Sequence, residues 1–502
     1  MNSGFFSTMS YHGKIRRKVA AAMLVAFTSS FIVGCGGSDR MSTAGLLDSS
    51  FGAGSSDGTP DGVVGLSLGS GDDYAKAMAV QTDGKIVLAG NTTTNANGGT
   101  SNIMVQRFNS DGSVDPTFGA GTGDGSPDGT VTLDLGASSD VAVAVKIQTD
   151  GKIVVVGYST ATAQGSTSNI ILARLTTVGV LDVSFGAGNS DGTPDGVVSV
   201  DLGGSSDDVA NALAIQSDNK IVVAGYTTQS GTKNLMIARV NADGTLDSSF
   251  GAGTGDGTPD GVVGLSLSDG NDEANGLVIQ SNGKIVVAGT TRALDNTTNA
   301  AVARLNTDGS LDTAFGAGVG DGTPDGVASV SFSDGNDAAN SVTLQADGKI
   351  LVVGTSTASD TSSNIAVARL NADGTLDISF GAGTSDGTPD GVVGLSLGTG
   401  NDVAVAIAVQ VDGKILVAGY TVASDSSTNA AVARLLSDGK LDSSFGQGSS
   451  DGTPDGVVAI SLGAGNDYAH ALALQTDGKI LVAGDRTNAG SSDIWVARLL
   501  AN

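Results

Sequence analysis

The chain has very few of the residues on which catalytic and metal-binding sites usually depend. Its 502 residues include one cysteine, two histidines, one glutamate and one tryptophan, and aromatic residues make up only 4%. A single cysteine excludes a disulfide within the chain, and two histidines leave no histidine cluster for zinc. So few aromatic rings also argue against glycan recognition by stacking on exposed side chains.

A motif that recurs seven times dominates the chain. The tag Phe-Gly-Ala/Gln-Gly begins at Phe51, Phe118, Phe185, Phe250, Phe315, Phe380 and Phe445, at steps of 65 or 67 residues. Glycine contributes 76 residues, and valine, isoleucine and threonine fall in short runs, as is typical of an all-β chain. A fixed period of this length indicates one repeat architecture instead of three or four ordinary domains.

The copy at residues 401–462 shows what each repeat builds. Its apolar runs lie at residues 403–410, 414–419, 430–435 and 457–462. Asp412-Gly413 separates the first two runs and predicts a hairpin with a type I′ turn, in which both central residues have positive φ. Four short strands repeated seven times predict an all-β fold, a single seven-bladed β-propeller. A β-helix and a string of separate β-domains are the alternatives.

The two ends of the chain complement each other. The last copy stops at Leu499, after its third strand, and the missing tag and fourth strand stand near the N-terminus at residues 47–51 and 63–68. We therefore expect the N-terminal strand to complete the last blade, which removes a free sheet edge. The alanine-rich first strand of each copy is expected to be innermost, where blades converge and only small side chains fit.

Two segments of the repeats carry a resemblance to a known family. Residues 471–484 (ALALQTDGKILVAG) and 367–381 (VARLNADGTLDISFG) resemble the delta-sixty repeat family of bacterial propeller-like repeats. The resemblance spans about residues 46–502. It implies a propeller and an extracytoplasmic location, and it implies no activity and no catalytic residues.

The first 35 residues differ from the repeats and indicate export. Basic residues within 14–18 precede an apolar run at 19–33, which is too short for a comfortable membrane span. The segment from Ile32 to Cys35 resembles the lipobox of bacterial lipoproteins, a family in which this cysteine is lipidated.

These features predict three segments along the chain. They are a signal peptide at 1–34, a lipidated tether at 35–45 and the propeller at 46–502. Lipid on Cys35 would anchor the exported protein to the bacterial cell envelope, at the outer membrane on its periplasmic or surface side. A signal peptide without lipidation and twin-arginine export are the alternatives.

The charge balance limits the partners. The formal net charge is −27, and removal of residues 1–34, which carry four basic and no acidic residues, makes it −31. Such a surface repels nucleic acid and anionic lipid headgroups, so the membrane link is expected to be the lipid on Cys35.

One aspartate stands just before each first strand. These residues are Asp73, Asp140, Asp208, Asp272, Asp337, Asp402 and Asp467. If the strand lines the axis, seven carboxylates ring one channel mouth, concentrate cations and raise one another's pKa. The alternative is that each aspartate caps a tight turn by accepting backbone N–H bonds.

A second acidic set lies in the loops of sequence Asp-Gly-Thr/Ser-Pro-Asp-Gly. The pairs are Asp57/Asp61, Asp124/Asp128, Asp191/Asp195, Asp256/Asp260, Asp321/Asp325, Asp386/Asp390 and Asp451/Asp455. Carboxylates on a glycine-rich loop supply part of a Ca²⁺ shell, so Ca²⁺ is the one candidate cofactor. The spacing is not that of an EF-hand, and solvated turns are the alternative.

An arginine recurs in every third strand. The seven are Arg107, Arg174, Arg239, Arg304, Arg369, Arg434 and Arg498. Each stands among apolar residues, and we expect it to pair with the aspartate of the Leu-Asp-x-x-Phe tag, such as Asp377 or Asp442, and to lock blade to blade. A ring that binds anions is the alternative.

Departures from the sevenfold pattern are few. Glu273, Arg292 and His470 fall at scattered positions, no Ser-His-Asp set recurs, and we expect His470 to be structural and Trp495 to be buried. The residues that vary most between copies follow the second strand, at 91–101, 158–168, 226–233, 290–298, 355–363, 420–428 and 485–492. Variable loops on a rigid scaffold often carry binding specificity.

We therefore expect an envelope-anchored, monomeric lipoprotein with no enzymatic activity. It would act as a binding or adhesion scaffold for an envelope or extracellular protein, with assistance from a cation. The alternative is a metal-dependent hydrolase or lyase with an acidic site at the propeller axis.

Overall fold

Seven four-stranded antiparallel sheets form a closed ring in the computed structural model of the chain. The structure describes residues 43–52, 62–93, 99–119, 129–135, 139–160, 167–186, 196–202, 206–252, 261–292, 297–316, 326–333, 335–357, 362–381, 391–397, 400–422, 426–446, 456–463, 465–488 and 490–501. Within these ranges no helix has the length and apolar character needed to cross a membrane. The predicted seven-bladed propeller with four strands per blade is confirmed.

In each of blades 1 to 7 the first strand lies at the axis and the fourth strand lies at the rim. The first strands are β2 Asp73–Val80, β6 Ser139–Ile147, β10 Asp208–Ile215, β14 Asp272–Ile279, β18 Asn336–Leu344, β22 Asn401–Val409 and β26 Asn466–Leu474. The second strands are β3 Ile86–Thr93, β7 Ile153–Thr160, β11 Ile221–Gln229, β15 Ile285–Arg292, β19 Ile350–Thr357, β23 Ile415–Val422 and β27 Ile480–Asn488. The third strands are β4 Ser101–Phe108, β8 Ser168–Leu175, β12 Thr232–Val240, β16 Thr298–Leu305, β20 Ser363–Leu370, β24 Thr428–Leu435 and β28 Ser491–Leu499. The fourth strands are β5 Thr130–Leu133, β9 Val197–Val200, β13 Val262–Leu265, β17 Val327–Val330, β21 Val392–Leu395, β25 Val457–Ile460 and β1 Val63–Leu66.

The N-terminal strand closes the ring. β1 pairs with β28 in blade 7, so that Val63 stands opposite Ala497 and Gly65 opposite Trp495. The first strands contact one another from each blade to the next, including β26 of blade 7 with β2 of blade 1. As predicted, the alanine-rich strand is innermost.

The core lies between adjacent sheets. Phe445 and Val458 of blade 6 pack with Val482 and Trp495 of blade 7, and the tag phenylalanine is buried in every copy. Trp495 is buried, as predicted. Burial of each such side chain contributes about 1.5–3 kcal/mol, so the blades are stable mainly through their neighbours.

The hairpin between first and second strands corrects the predicted turn type. Among the described residues only Asn219, Ser230 and Ser426 have positive φ without being glycine, so the aspartate of Asp412-Gly413 does not. Gly413 has a φ of 85° and donates its N–H to the Gln410 carbonyl at 2.9 Å. The turn is therefore type I followed by one left-handed residue, because the loop is longer than the two residues of a type I′ hairpin.

An arginine at the end of each third strand joins three parts of the molecule. Arg434 donates from Nε to Asp442 at 2.8 Å and from Nη1 to the carbonyl of Ala501, in the next blade, at 2.6 Å. Its guanidinium lies 4.6 Å from the ring centroid of Phe445, and Lys414 contacts the same carboxylate at 3.0 Å. The predicted pairing of arginine with the tag aspartate, and the link between blades, are confirmed.

The same arrangement recurs in all seven blades. Nε–carboxylate distances of 2.6–2.9 Å join Arg107–Asp115, Arg174–Asp182, Arg239–Asp247, Arg304–Asp312, Arg369–Asp377, Arg434–Asp442 and Arg498–Asp48. In blade 7 the aspartate comes from the N-terminal segment, so closure of the ring also supplies the buried countercharge for Arg498.

Candidate binding site at the junction of the last and first blades

The two ends of the propeller differ in composition. We call the end at which first strands begin and second strands end the upper face, and the end with the Asp-Gly hairpins the lower face. The lower face repeats the same arginine, lysine and aspartate in every blade. The upper face departs from sevenfold symmetry.

Each first strand contains a β-bulge that re-aims one side chain. Its pairing with the second strand skips a single residue, and a bulge of this kind bends the strand. The bulged residues in blades 1 to 7 are Lys76, Val143, Asn211, Asn275, Asn340, Val405 and His470. The seven inner strands therefore present a ring of different side chains at one level of the axis.

A glycine in the second strand makes each bulge sterically feasible. In blade 6 a Cβ on Gly419 would overlap the carbonyl oxygen of Val403, and the equivalent glycine of every other blade meets the same obstacle. These glycines are Gly90, Gly157, Gly225, Gly289, Gly354, Gly419 and Gly484. The Ala-Gly or Val-Gly end of the return strand is thus a requirement of the bulge.

In blades 3 to 5 the bulged residues have a structural role, because each forms a hydrogen bond to the next blade. Asn211 donates from Nδ2 to the carbonyl of Ala274 at 2.9 Å, and Asn275 donates to Ala339 at 2.9 Å. Asn340 continues the series to Ala404 at 2.7 Å. Each asparagine thereby ties its first strand to the next blade.

On the opposite arc the bulges bring charged groups together. His470 Nε2 lies 2.6 Å from Asp485 Oδ1, and Lys76 Nζ, from the first strand of blade 1, lies 3.8 Å from the same oxygen. Asp485 is only 3% exposed. Burial lowers the pKa of Lys76, although the charge of Asp485 opposes that change.

Two tyrosine rings contact this cluster, and a third packs against one of them. Tyr468 is stacked on His470 with centroids 6.2 Å apart, and Tyr420 meets Tyr468 edge-on at 5.1 Å. The Tyr74 ring lies 4.8 Å from Lys76 Nζ. We call the set Tyr74, Lys76, Tyr420, Tyr468, His470 and Asp485 the junction site, because it spans blades 6, 7 and 1.

All described tyrosines stand at the upper face and are partly exposed. Tyr158 and Tyr226 occupy, in blades 2 and 3, the second-strand position that Tyr420 has in blade 6. Near Tyr226, Lys233 lies 3.8 Å from the ring centroid and 3.1 Å from Glu273 of blade 4. The departures from symmetry therefore gather at one face.

The aspartates at the start of the first strands are buried and accept hydrogen bonds. Asp73 accepts the N–H of Leu68 at 2.7 Å and the hydroxyl of Thr92 at 2.6 Å. The equivalent backbone bond, 2.7–3.0 Å long, forms in every blade, at Asp73, Asp140, Asp208, Asp272, Asp337, Asp402 and Asp467. The structure therefore shows the capping arrangement, in which the carboxylate holds the connection between blades.

Burial has the largest effect on the pKa values of these capping aspartates. It raises the pKa of Asp73, Asp140, Asp208, Asp272, Asp337 and Asp467. Within the described ranges no three His, Cys, Asp or Glu side chains are grouped closely enough to hold a metal ion. Metal binding by this set stays a prediction.

The tag aspartates titrate in the opposite direction. Burial alone would raise the pKa of Asp442, but hydrogen bonds from Ser444 and Lys414 and the charge of Arg434 outweigh it and lower the pKa to about 2. The same balance lowers the pKa of Asp48 to about 2. The other five tag aspartates are likewise held below their usual range.

We expect acid to weaken the propeller through these tag aspartates. A depressed folded-state pKa stabilises the fold above the unfolded value of about 3.9, and this contribution disappears as the pH falls to about 2. For Asp442 it is on the order of 2 kcal/mol. Urea unfolding of Asp442→Asn should therefore show a smaller loss of stability between pH 5 and pH 2.5 than the native chain. Equal losses would contradict this, and the difference isolates Asp442 from the capping aspartates, which act in the opposite sense.

Several sequence predictions fall outside the described residues. They are the signal peptide at 1–34, Cys35, most of the tether, and every Asp-Gly-Thr/Ser-Pro-Asp-Gly loop, including Asp256, Asp260, Asp386 and Asp390. Lipidation, export and Ca²⁺ binding therefore stay predictions. The described residues that flank these acidic loops, such as Gly446 and Gly456, lie toward the lower face, away from the capping aspartates.

The named departures from the pattern are scattered over the ring, as expected. Glu273 and Arg292 are in blade 4, whereas His470 is in blade 7, where His470 and Lys76 both contact Asp485. Alignment of the seven copies would have marked residues 76, 470 and 485 as unusual. It would not have shown that 76 and 485 are neighbours, because that depends on closure of the ring.

Comparison with known proteins agrees with this architecture. The family described as "Domain of unknown function (DUF5122) beta-propeller" matches residues 81–118, 148–185, 216–250, 280–315, 345–380, 410–445 and 475–502, one segment for each blade. The chain belongs to a family of β-propeller repeat proteins. The narrower resemblance to delta-sixty repeats stays a prediction. No curated protein gives a significant match to this propeller.

Solved structures similar to this propeller are only distantly related. A protein of unknown function from Dyadobacter fermentans DSM 18053 has 11% identity and a TM-score of 0.41, over 88% of this chain and 100% of that one. A PL25 ulvan lyase has 11% identity and a TM-score of 0.44, over 88% and 96%. A glucose dehydrogenase has 9% identity and a TM-score of 0.38, over 87% and 99%. Similarities this weak carry no information about activity.

Proposed function

We propose that this propeller is an exported, lipid-anchored scaffold that binds an envelope or extracellular ligand through its upper face and catalyses no reaction. The observation that carries the proposal is the asymmetry of that face. Every described tyrosine lies there, together with Lys76, His470 and Asp485. Partly exposed aromatic rings beside charged groups are typical of binding surfaces.

The positions of the variable loops also support the upper face as the binding surface. The segments that differ most between copies leave the ends of the second strands, and those ends lie at the upper face. The lower face repeats one arginine–lysine–aspartate arrangement seven times, so this arrangement does not distinguish one blade from another. The upper face is therefore the better candidate for binding a single ligand.

The contacts of the N-terminal segment support an orientation in which the upper face points away from the membrane. Ala44 accepts the N–H of Gly446 at 2.9 Å, Gly45 donates to Leu500 at 2.8 Å, and Leu47 pairs with Leu499. These contacts are at the lower face. Cys35 and Thr43 are eight residue steps apart, a distance of about 30 Å at most in an extended chain. A lipid on Cys35 would keep the lower face near the membrane and turn the upper face away from it.

We expect two upper-face substitutions to abolish capture of the ligand. Tyr468→Val and Tyr420→Thr use residues that other blades carry at the same positions, namely Val403 and Thr355, so the fold should be preserved. In bacteria that express the full chain, cross-linking to envelope components should fall about tenfold or more in the double variant. The recovered component would be identified by mass spectrometry.

A matched control uses the lower face. Lys440 is exposed there, and other copies carry threonine or serine at its position, so Lys440→Thr should leave cross-linking unchanged. Cys35→Ser should move the protein from the membrane to the soluble fraction. Equal cross-linking by the upper-face variant and the native chain would refute the proposed face.

A further inference from the structure

The ammonium group of Lys76 has an unusual environment. Its nearest countercharge is Asp485 at 3.8 Å, too far for a hydrogen bond, and it forms no hydrogen bond with any described residue. Its side chain is 33% exposed, so the group is neither free in water nor buried. Binding of an anion is favourable at a partly desolvated cation that has no hydrogen-bond acceptor, because the anion supplies both the acceptor and the countercharge.

The carboxylate nearest to Lys76 is engaged by another residue. Asp485 Oδ1 contacts His470 Nε2 at 2.6 Å and lies 3.8 Å from Lys76 Nζ. The ammonium group of Lys76 therefore keeps N–H donors that no described residue accepts from. An incoming carboxylate would find a cation with free N–H groups close to the axis.

The rings of the junction site indicate the shape of the ligand. Tyr74 lies 4.8 Å from Lys76 Nζ, and Tyr468 is connected to Lys76 through His470 and Asp485. Tyr468 is nearly parallel to His470, with 13° between the planes, while Tyr420 is perpendicular to Tyr468 at 82°. The hydroxyls of Tyr420 and Tyr468 form no hydrogen bond with the described residues. A flat aromatic surface edged by free hydroxyls suits a ring that carries hydroxyl groups of its own.

We infer that the junction site binds the end of a saccharide chain that carries a carboxylate, with the carboxylate at Lys76 and the sugar ring against Tyr468. The inference rests on the proposed binding role of the upper face and names the class of ligand. The low aromatic content of the chain argued against glycan stacking. The placement of the rings argues for it, because three of the five described tyrosines are in one site.

The other blades do not repeat this combination. At the bulge they carry valine, histidine or an asparagine bonded to the next blade, and Lys76 is the only lysine or arginine among the seven bulged residues. One molecule of protein therefore binds one saccharide end at this level of the axis. A sevenfold site is not expected.

Isothermal titration calorimetry of the full mature chain with tetragalacturonate tests the inference. The native chain should bind one tetragalacturonate, and the neutral α-1,4-galactotetraose, which keeps the linkage and lacks the carboxylates, should bind at least about tenfold more weakly. Lys76→Val and Tyr468→Val should each weaken tetragalacturonate binding about tenfold or more. Both replacements occur naturally at equivalent positions, as Val143 and Val141, and a thermal melt verifies that each variant is folded.

A lysine of the lower face serves as the control. Lys440 is exposed and lies outside the junction site, so Lys440→Thr should leave tetragalacturonate binding unchanged. Lys76→Arg should retain most of the affinity, because the positive charge remains. Absence of binding to tetragalacturonate, equal binding of the neutral saccharide, or equal affinity in Lys76→Val would each overturn the inference.

The failure of this inference can be distinguished from failure of the proposed function. If the Tyr468→Val and Tyr420→Thr double variant loses its envelope cross-link and the native chain does not bind tetragalacturonate, the upper face binds a ligand of another class. If neither experiment shows a difference, the upper face is not the binding surface.

Discussion

A chain shortened to begin at Gly69 should lose the cooperative unfolding of the native propeller. The deletion removes β1, which pairs with β28, and it removes Asp48, which accepts from Arg498 Nε at 2.9 Å. Loss of one partner of a buried ion pair alone costs about 3–5 kcal/mol, and the lost burial of Val63 and Val64 adds about 1.5–3 kcal/mol each. Blade 7 would also expose the edge of β28.

Thermal denaturation with size-exclusion chromatography measures this effect. The shortened chain should melt at a lower temperature over a broader range and should form oligomers through the open edge. A synthetic peptide of residues 43–68 added in trans should restore the native melting profile, and the same peptide with Asp48→Asn should restore less of it. An unchanged melting temperature in the shortened chain would mean that the ring does not depend on β1.

Gly419→Ala should destabilise blade 6 strongly although it adds only one methyl group. The new Cβ would overlap the carbonyl oxygen of Val403, which is backbone and can move only if the bulge at Val405 is lost. Overpacking of this kind costs about 3 kcal/mol or more. Removal of the bulge would also return the first strand to regular pairing and change which residues face the axis.

Urea unfolding of Gly419→Ala and Gly69→Ala provides the comparison. Gly69 is exposed, has nothing within 4 Å of an added Cβ and does not have a positive φ, so its substitution should change stability by less than about 0.5 kcal/mol. Hydrogen exchange of β22 and β23 should then show loss of protection confined to blade 6 in Gly419→Ala. Equal stability of the two variants would show that the bulge is not sterically constrained by the glycine.

The repetitive parts of the molecule were the most predictable. Period, strand count and the complementary chain ends predicted seven closed blades, and the arginine of each third strand was correctly paired with its tag aspartate. Each of these features is local to one repeat or to its neighbour, so seven copies confirm the same pattern. The hairpin at Asp412-Gly413 was predicted with the wrong turn, because the pattern of residues does not distinguish type I′ from type I followed by a left-handed glycine.

The bulges could not be predicted from the alternation of small and large side chains along the first strands. A strand such as AVAIAV is alternately small and large with or without one skipped residue, and only the position of the second strand reveals the skip. For the aspartates, the sequence is compatible both with a capping role and with a carboxylate ring at a channel mouth. Burial and the backbone N–H of the preceding connection decide in favour of capping, and both depend on how blades meet.

The sequence alone determined the number of blades, the order of their strands and the way in which the ring closes, since these follow from a period that every copy repeats. Only the tertiary structure determined the junction site. Lys76 and Asp485 are at opposite ends of the chain, and they become neighbours because closure of the ring puts the first blade beside the last. A contact that occurs once, between residues that no repeat relates, has no periodic signal in the sequence.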